Sequence, residues 1–134
     1  MQPTKALVID DSSLIHKMFK VMFPKTLLVH AMDGREALQR LAEQPDVDLI
    51  FLDINMPHMN GLEFLAQVKA DGGLSQIPVI IVSTEGKEED TLRGLRAGAA
   101  AYVKKPFRNE VVQSLIRKVM DGAAGALEPQ SLVG

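Results

Sequence analysis

Residues 49–57 read Leu49-Ile50-Phe51-Leu52-Asp53-Ile54-Asn55-Met56-Pro57, and this stretch decides the fold. Four apolar residues in succession, with no polar alternation, mark a strand buried on both faces, as in a parallel sheet covered by helices. The run stops on a lone carboxylate. Three more runs repeat the pattern. Ala6-Leu7-Val8-Ile9 enters Asp10-Asp11, Val79-Ile80-Ile81-Val82 enters Ser83, and Ala100-Ala101-Tyr102-Val103 enters Lys104-Lys105. A shorter run, Thr26 to Ala31, adds a strand at an edge, because polar His30 follows only three apolar residues.

Between the runs lie stretches with helical spacing. Leu14, Ile15, Met18, Phe19 and Met22 form one apolar stripe, ended by Pro24. Ala37, Leu38 and Leu41 form a second behind Asp33-Gly34, and Leu62, Leu65 and Val68 a third before Gly72-Gly73. Leu92 and Leu95 make a weak fourth stripe with Gly94 inside it and Gly98 as its C-terminal cap. Val111, Val112, Leu115, Ile116 and Val119 make the last. Strand and helix thus alternate five times over. Short connections in that order imply parallel strands joined by right-handed crossovers, a doubly wound α/β sheet. Residues 122–134 carry few core-forming side chains and read as a flexible tail after a domain spanning 1–121.

The bulk numbers narrow the function. The 134 residues suit one domain, 46% apolar and 24% charged, as in an average globular protein. A net charge of -2 argues against a nucleic-acid-binding surface. The absence of cysteine removes disulfide, thiolate and zinc-ribbon chemistry. No apolar run is long enough to span a membrane, and Met1 to Asp10 meets an acidic pair too soon for a signal peptide. The expectation is a cytoplasmic protein with no membrane or nucleic-acid partner.

In a doubly wound sheet, ligands bind beyond the carboxyl ends of the strands. Asp10, Asp11, Asp53, Ser83 and Lys105 all fall there. Three carboxylates in close proximity repel unless a cation or proton intervenes. An all-oxygen set with few protein ligands favours Mg²⁺ over softer ions and over Ca²⁺. A carboxylate can take a phosphoryl group as an acyl phosphate, with a metal and an ammonium neutralising the charge on its oxygens. Asp53 suits the acceptor, Asp10 and Asp11 the metal, Lys105 the ammonium, and Ser83 a further donor. Each residue has an ordinary alternative: Asp11 or Ser12 as a helix cap, Asp53 as a turn residue, Ser83-Thr84 capping the fourth helix, Lys104-Lys105 as a solvated pair. All five at equivalent sheet positions is improbable by chance.

With these residues in view, the chain resembles the receiver domains of two-component response regulators, in particular the single-domain CheY-like type. The resemblance runs from about Lys5 to Met120. It rests on Val8-Ile9-Asp10-Asp11-Ser12, Leu52-Asp53-Ile54-Asn55-Met56-Pro57-His58-Met59-Asn60-Gly61, Ile81-Val82-Ser83-Thr84 and Ala101-Tyr102-Val103-Lys104-Lys105-Pro106-Phe107. It implies a flavodoxin-like sheet of order 2-1-3-4-5 flanked by five helices. It makes Asp53 the phosphoacceptor from a sensor histidine kinase or phosphotransfer protein. Asp10, Asp11, Asp53 and the Asn55 backbone carbonyl then bind Mg²⁺, Ser83 and Lys105 contact the phosphoryl group, and Lys105-Pro106 is cis. Gly61 opens the third helix. Tyr102 is the switch aromatic, turning inward as Ser83 is drawn to the phosphoryl. Asn55 and Glu85, each two residues beyond a site residue, match the pairing that accompanies rapid self-dephosphorylation in chemotaxis-type regulators. Ser83 stands where threonine is commoner.

The resemblance further implies an output surface of the fourth helix, fifth strand and fifth helix, read by a downstream protein, and a monomer or weak phosphorylation-dependent dimer. Gly94 lowers the fourth helix's stability by about 1 kcal/mol relative to Ala, which suits a shifting element. With no effector extension, the chain is expected to act by binding, in chemotaxis or as a phosphorelay intermediate. A small-molecule phosphatase or phosphotransferase with an Asp nucleophile fits less well: such enzymes carry a second aspartate where Asn55 stands, and a cap domain. A flavodoxin-type cofactor binder needs a phosphate-cradling loop where Asp10-Asp11-Ser12-Ser13 places negative charge. No Walker loop is present, so ATP is not the direct donor. His16, His30 and His58 lack metal-ligand spacing and read as surface or capping residues. The methionines read as core packing.

Overall fold

The computed structural model describes residues 3–54, 60–84 and 86–121. Five strands, β1 (Lys5–Ile9), β2 (Leu27–Ala31), β3 (Leu49–Asp53), β4 (Val79–Ser83) and β5 (Ala101–Lys104), alternate with five helices. These are α1 (Ser13–Met22), α2 (Gly34–Glu43), α3 (Gly61–Ala70), α4 (Glu88–Arg96) and α5 (Asn109–Met120). The sheet has the order β2-β1-β3-β4-β5 and every neighbouring pair is parallel. The doubly wound fold and the order 2-1-3-4-5 therefore stand as expected, with β2 at an edge. The proposed tail, residues 122–134, lies outside the described residues.

Alternation along each strand sends side chains to two cores. Ala6, Val8, Phe51, Ile80, Val82 and Val103 pack with Ile15 and Phe19 of α1 and Val112 and Ile116 of α5. Leu7, Ile9, Ile50, Leu52 and Val79 pack with Ala37 and Leu41 of α2 and Phe64, Leu65 and Val68 of α3. The central strands β3 and β4 are buried at every residue, which is why their sequences run apolar without alternation. Two helix starts carry the caps that their sequences advertise. Asp33 accepts a hydrogen bond from the Glu36 backbone N–H, and Asn60 from that of Glu63, both at 2.9 Å.

The apolar stripes need correction in three places. In α1, Leu14 is 64% exposed, and the inward face is Ile15, His16 and Phe19, continued by Phe23. In α3 Leu65 and Val68 are buried as expected and Phe64 joins them, while Leu62 is only half-buried. In α4 the buried pair is Thr91 and Gly94, while Leu92 and Leu95 are half-buried. The reason lies at Gly94. A Cβ there would run into the Cδ1 of Ile81 on β4 and stand 3.3 Å from that of Ile54. Gly94 thus lets α4 lie close against the sheet, and its helix-propensity cost accompanies that approach. The positive φ of 116° at Gly98, the residue after the Ala97 cap, ends α4 as its sequence suggested.

Candidate functional site

The carboxyl ends of β1, β3, β4 and β5 bring the expected residues to one edge. Carboxylate oxygens of Asp10, Asp11 and Asp53 lie within 4.8 Å of one another, Asp10 and Asp53 buried and Asp11 exposed. Asp53 is the last residue of β3, in register with Val82, so Ser83 follows directly beside it on β4. Ser83 is itself buried and its carbonyl accepts the Lys105 N–H at 2.7 Å. The Lys105-Pro106 bond is cis, as the resemblance implies.

The two lysines divide. Lys105 Nζ lies 2.8 Å from Asp10 Oδ2 and 3.9 Å from Asp53 Oδ2, with its side chain mostly buried. Its ammonium offsets the charge of two of the three carboxylates, Asp10 and Asp53. Lys104 points the other way and pairs with Glu88 at 3.2 Å on the exposed side of β5. Hydrogen bonds from its own backbone N–H, then from Lys104 and the Gly86 N–H, hold Glu88 below the usual carboxylate range. Tyr102, half-buried and two residues before Lys104, shares that side of the strand. Burial pushes its phenol up, the Lys104 charge partly offsets this, and Glu88 adds to it.

The ordinary alternatives account for these residues only in part. Ser12 is the N-cap of α1 but makes no side-chain capping bond. The Ser12 N–H instead donates to Asp10 Oδ1 at 2.9 Å, which orients that carboxylate. The N-cap of α4 is Lys87, well past Ser83-Thr84. Asp53 is a strand residue, not a turn residue.

A donor set for a hard cation is present. Asp10 Oδ1 accepts from the Ser12 N–H, and the buried Asp10 Oδ2 lies 2.8 Å from the Lys105 ammonium. Three carboxylates offering oxygens within 4.8 Å of one another, with no nitrogen or sulfur ligand in the set, fit Mg²⁺. Asn55 and Glu85, assigned to the metal shell and to dephosphorylation, lie outside the described residues, as does His58.

Gly61 positions the acceptor. A Cβ on it would sit 2.6 Å from the Ile54 Cα and 2.9 Å from the Asp53 carbonyl oxygen, and its N–H donates to the Ile54 carbonyl at 3.2 Å. The start of α3 therefore rests directly on the backbone that carries Asp53. Gly61→Ala is expected to destabilise the protein by about 1–3 kcal/mol, since backbone cannot yield as a side chain can. Urea unfolding checks this, and unchanged stability would refute it.

Sequence spacing missed one cluster. His16 is buried, 7% exposed, and not a surface residue. Its Nε2 lies 2.8 Å from the Asp10 carbonyl oxygen, and its Nδ1 lies 2.7 Å from the Nδ1 of His30 on β2. Neither contact follows from spacing, because they need α1 folded back over the paired β1 and β2. Burial above all, then the His16 and Lys20 charges, pushes His30 below its ordinary 6.5. A depressed histidine pKa means that the unfolded chain takes up the proton first. The stability from His30 is thus fully present above pH 6.5 and is lost as pH falls through that value toward the lower folded pKa. Thermal melts between about pH 7.5 and pH 5.5 should show a smaller acid loss in His30→Asn than in the wild type. Equal losses would remove His30 as the cause.

Comparison with known proteins agrees with this geometry. Residues 6–117 match the family described as response regulator receiver domain. The chain is 34% identical over 119 residues to the chemotaxis protein CheY1 of Helicobacter pylori strain J99, covering 87% of this chain and 96% of that protein. It is also 34% identical over 124 residues to a CheY homolog of Campylobacter jejuni strain 81-176, covering 90% and 95%. The crystal structure of Vibrio cholerae chemotaxis protein CheY4 superposes with a TM-score of 0.79 at 31% identity, covering 87% of this chain and 98% of that one. A receiver domain from Clostridium thermocellum, at 24% identity and a TM-score of 0.81, shares the fold. The chain belongs to the response regulator receiver domain family, of the CheY type.

Proposed function

We propose that residues 1–121 act as a phosphoryl-accepting switch in two-component signalling, with Asp53 the acceptor of a phosphoryl group from a histidine kinase or phosphotransfer protein. The observation that supports this most is the Asp10, Asp11 and Asp53 cluster with Lys105 Nζ reaching two of its members. Asp10, Asp11 and Asp53, with the Asn55 carbonyl, would hold Mg²⁺. When bound, the ion neutralises charge on the acidic set and on the incoming phosphoryl oxygens. The Asp53 carboxylate attacks phosphorus, the bond from phosphorus to the donor atom breaks, and an acyl phosphate remains on Asp53. The Lys105 ammonium pairs with a phosphoryl oxygen, and the Ser83 hydroxyl donates to another. Electrostatic positioning carries the catalysis, because phosphoryl transfer asks little covalent chemistry of the protein beyond the nucleophile.

The output follows from the same contacts. As Ser83 is drawn to the phosphoryl group, Tyr102 turns inward, and the face of α4, β5 and α5 changes for a downstream protein. The Lys104–Glu88 pair spans β5 and the start of α4 on that face. A chemotaxis output is the favoured role, given the CheY relatives, in a cytoplasmic protein that is monomeric or weakly dimeric when phosphorylated. A phosphorelay intermediate is the second reading, supported by the same site.

Acetyl phosphate tests the reading with a donor that needs no kinase. Intact-mass measurement should show one phosphoryl group gained in Mg²⁺ and none in EDTA, and labelling indifferent to EDTA would refute the metal assignment. With Asn55 and Glu85 as tuning residues, the phosphoprotein should decay in seconds to minutes once the donor is removed. A lifetime of many hours would remove them from that role. Partner capture with beryllofluoride-loaded protein, compared with Asp53→Asn, tests the switch: identical captures would mean that phosphorylation does not control binding.

A further inference from the structure

Asp10 is held at four points, and the one at its carbonyl is a side chain of α1. Its N–H donates to the Ala31 carbonyl at 3.1 Å, its Oδ1 accepts from the Ser12 N–H, and its Oδ2 faces Lys105. Its carbonyl meets His16 Nε2 at 2.8 Å. A carbonyl only accepts, so His16 Nε2 carries the hydrogen. In the neutral ring Nδ1 is then the bare nitrogen, and the 2.7 Å contact with His30 Nδ1 requires His30 to donate there. The rings meet edge to face, with centroids 4.8 Å apart. His30 is set in turn by the edge strand, where its own carbonyl accepts from Arg40 Nε at 3.3 Å. One tautomer of each ring satisfies every contact.

We infer that His16, locked by His30 into its Nε2–H form, is a positioning residue for Asp10, tying this metal-binding carboxylate to the β2 edge strand. The inference rests on the Mg²⁺ reading of the acid cluster. A ring hydrogen bond to the main chain of a ligand residue acts as outer-shell partners of metal sites do, by holding the ligand where the ion needs it. His16 touches neither ion nor phosphoryl group. It acts through the Asp10 backbone, together with the Ser12 N–H that aims the same side chain.

Two measurements on the full chain test this. In ¹⁵N-labelled, metal-free protein near neutral pH, long-range ¹H–¹⁵N spectra should show His16 protonated at Nε2 and bare at Nδ1, with His30 protonated at Nδ1. A His16 hydrogen on Nδ1 with Nε2 bare overturns the inference. In calorimetric titration with MgCl₂, His16→Leu and His30→Phe should each weaken binding about 10-fold. His16→Gln, whose amide N–H can reach the same carbonyl, should recover most of that loss, as should His30→Asn, which can still donate to His16 Nδ1. His30→Phe lies on the half-buried strand edge and keeps the test open if His16→Leu fails to fold. Wild-type affinity in a folded His30→Phe overturns the inference and leaves the metal reading standing. Absence of Mg²⁺ binding by the wild type overturns both, and the tautomer spectra then report the histidine pair alone.

Discussion

Asp53→Asn is expected to abolish phosphoryl transfer to the protein while leaving it folded. The substitution keeps the shape of a buried side chain at the end of β3 and removes only its charge and nucleophilicity. An amide oxygen carries no negative charge to attack phosphorus and cannot form the acyl phosphate. The fold should not suffer. Asp53 faces two other carboxylates, and removing one of three like charges relieves repulsion. Stability equal to or slightly above that of the wild type is therefore expected in urea. Intact-mass measurement after acetyl-phosphate treatment in Mg²⁺ decides the matter. Persistent labelling of Asp53→Asn at the wild-type rate would place the acceptor elsewhere.

Phe19→Ala should cost about 3–5 kcal/mol, the range for truncating a fully buried aromatic residue. Phe19 is entirely buried on α1 and stacks against three other phenylalanine rings: Phe51 at 4.7 Å, Phe107 at 5.5 Å and Phe23 at 5.8 Å between centroids. Those partners come from β3, from the segment after the cis Lys105-Pro106 bond, and from the end of α1. Truncation opens a cavity where three parts of the chain meet, and loosens the anchor two residues beyond Lys105. Leu14→Ala on the same helix provides the contrast. Its side chain is 64% exposed, so the change should stay within about 0.5 kcal/mol. Urea midpoints for the two variants check both statements. A Phe19→Ala cost below about 1 kcal/mol would mean that the aromatic cluster contributes little to stability.

Much of the site is legible in the sequence, for a physical reason. A strand buried on both faces must be apolar throughout, so Leu49-Ile50-Phe51-Leu52 and its companions announce a covered parallel sheet. Parallel strands end on the same side, so Asp10, Asp53, Ser83 and Lys105 meet without reference to side-chain packing. The resemblance named their roles, and the arrangement of the acid cluster supports them.

Helix faces were harder to read. Leu14 and Ile15 are equally apolar, and only the docking of α1 on the sheet chose Ile15 and turned His16 inward. The weak stripe of α4 misled because the face it buries is Thr91 and Gly94, the second a residue without a side chain. Lys104 and Lys105 look alike in sequence, yet one pairs with Glu88 on the surface and the other with Asp10 in the cluster.

By itself, then, the sequence determined the sheet, its covered faces and the edge at which the acidic residues gather. Those follow from hydrophobic period and chain direction, which are local. Only the tertiary structure decided that Gly61 rests on the Asp53 backbone, that Phe107 joins the Phe19 cluster, and that His16 and His30 meet beneath Asp10. Each of those contacts joins residues from separate elements, and its geometry exists only once the elements have packed.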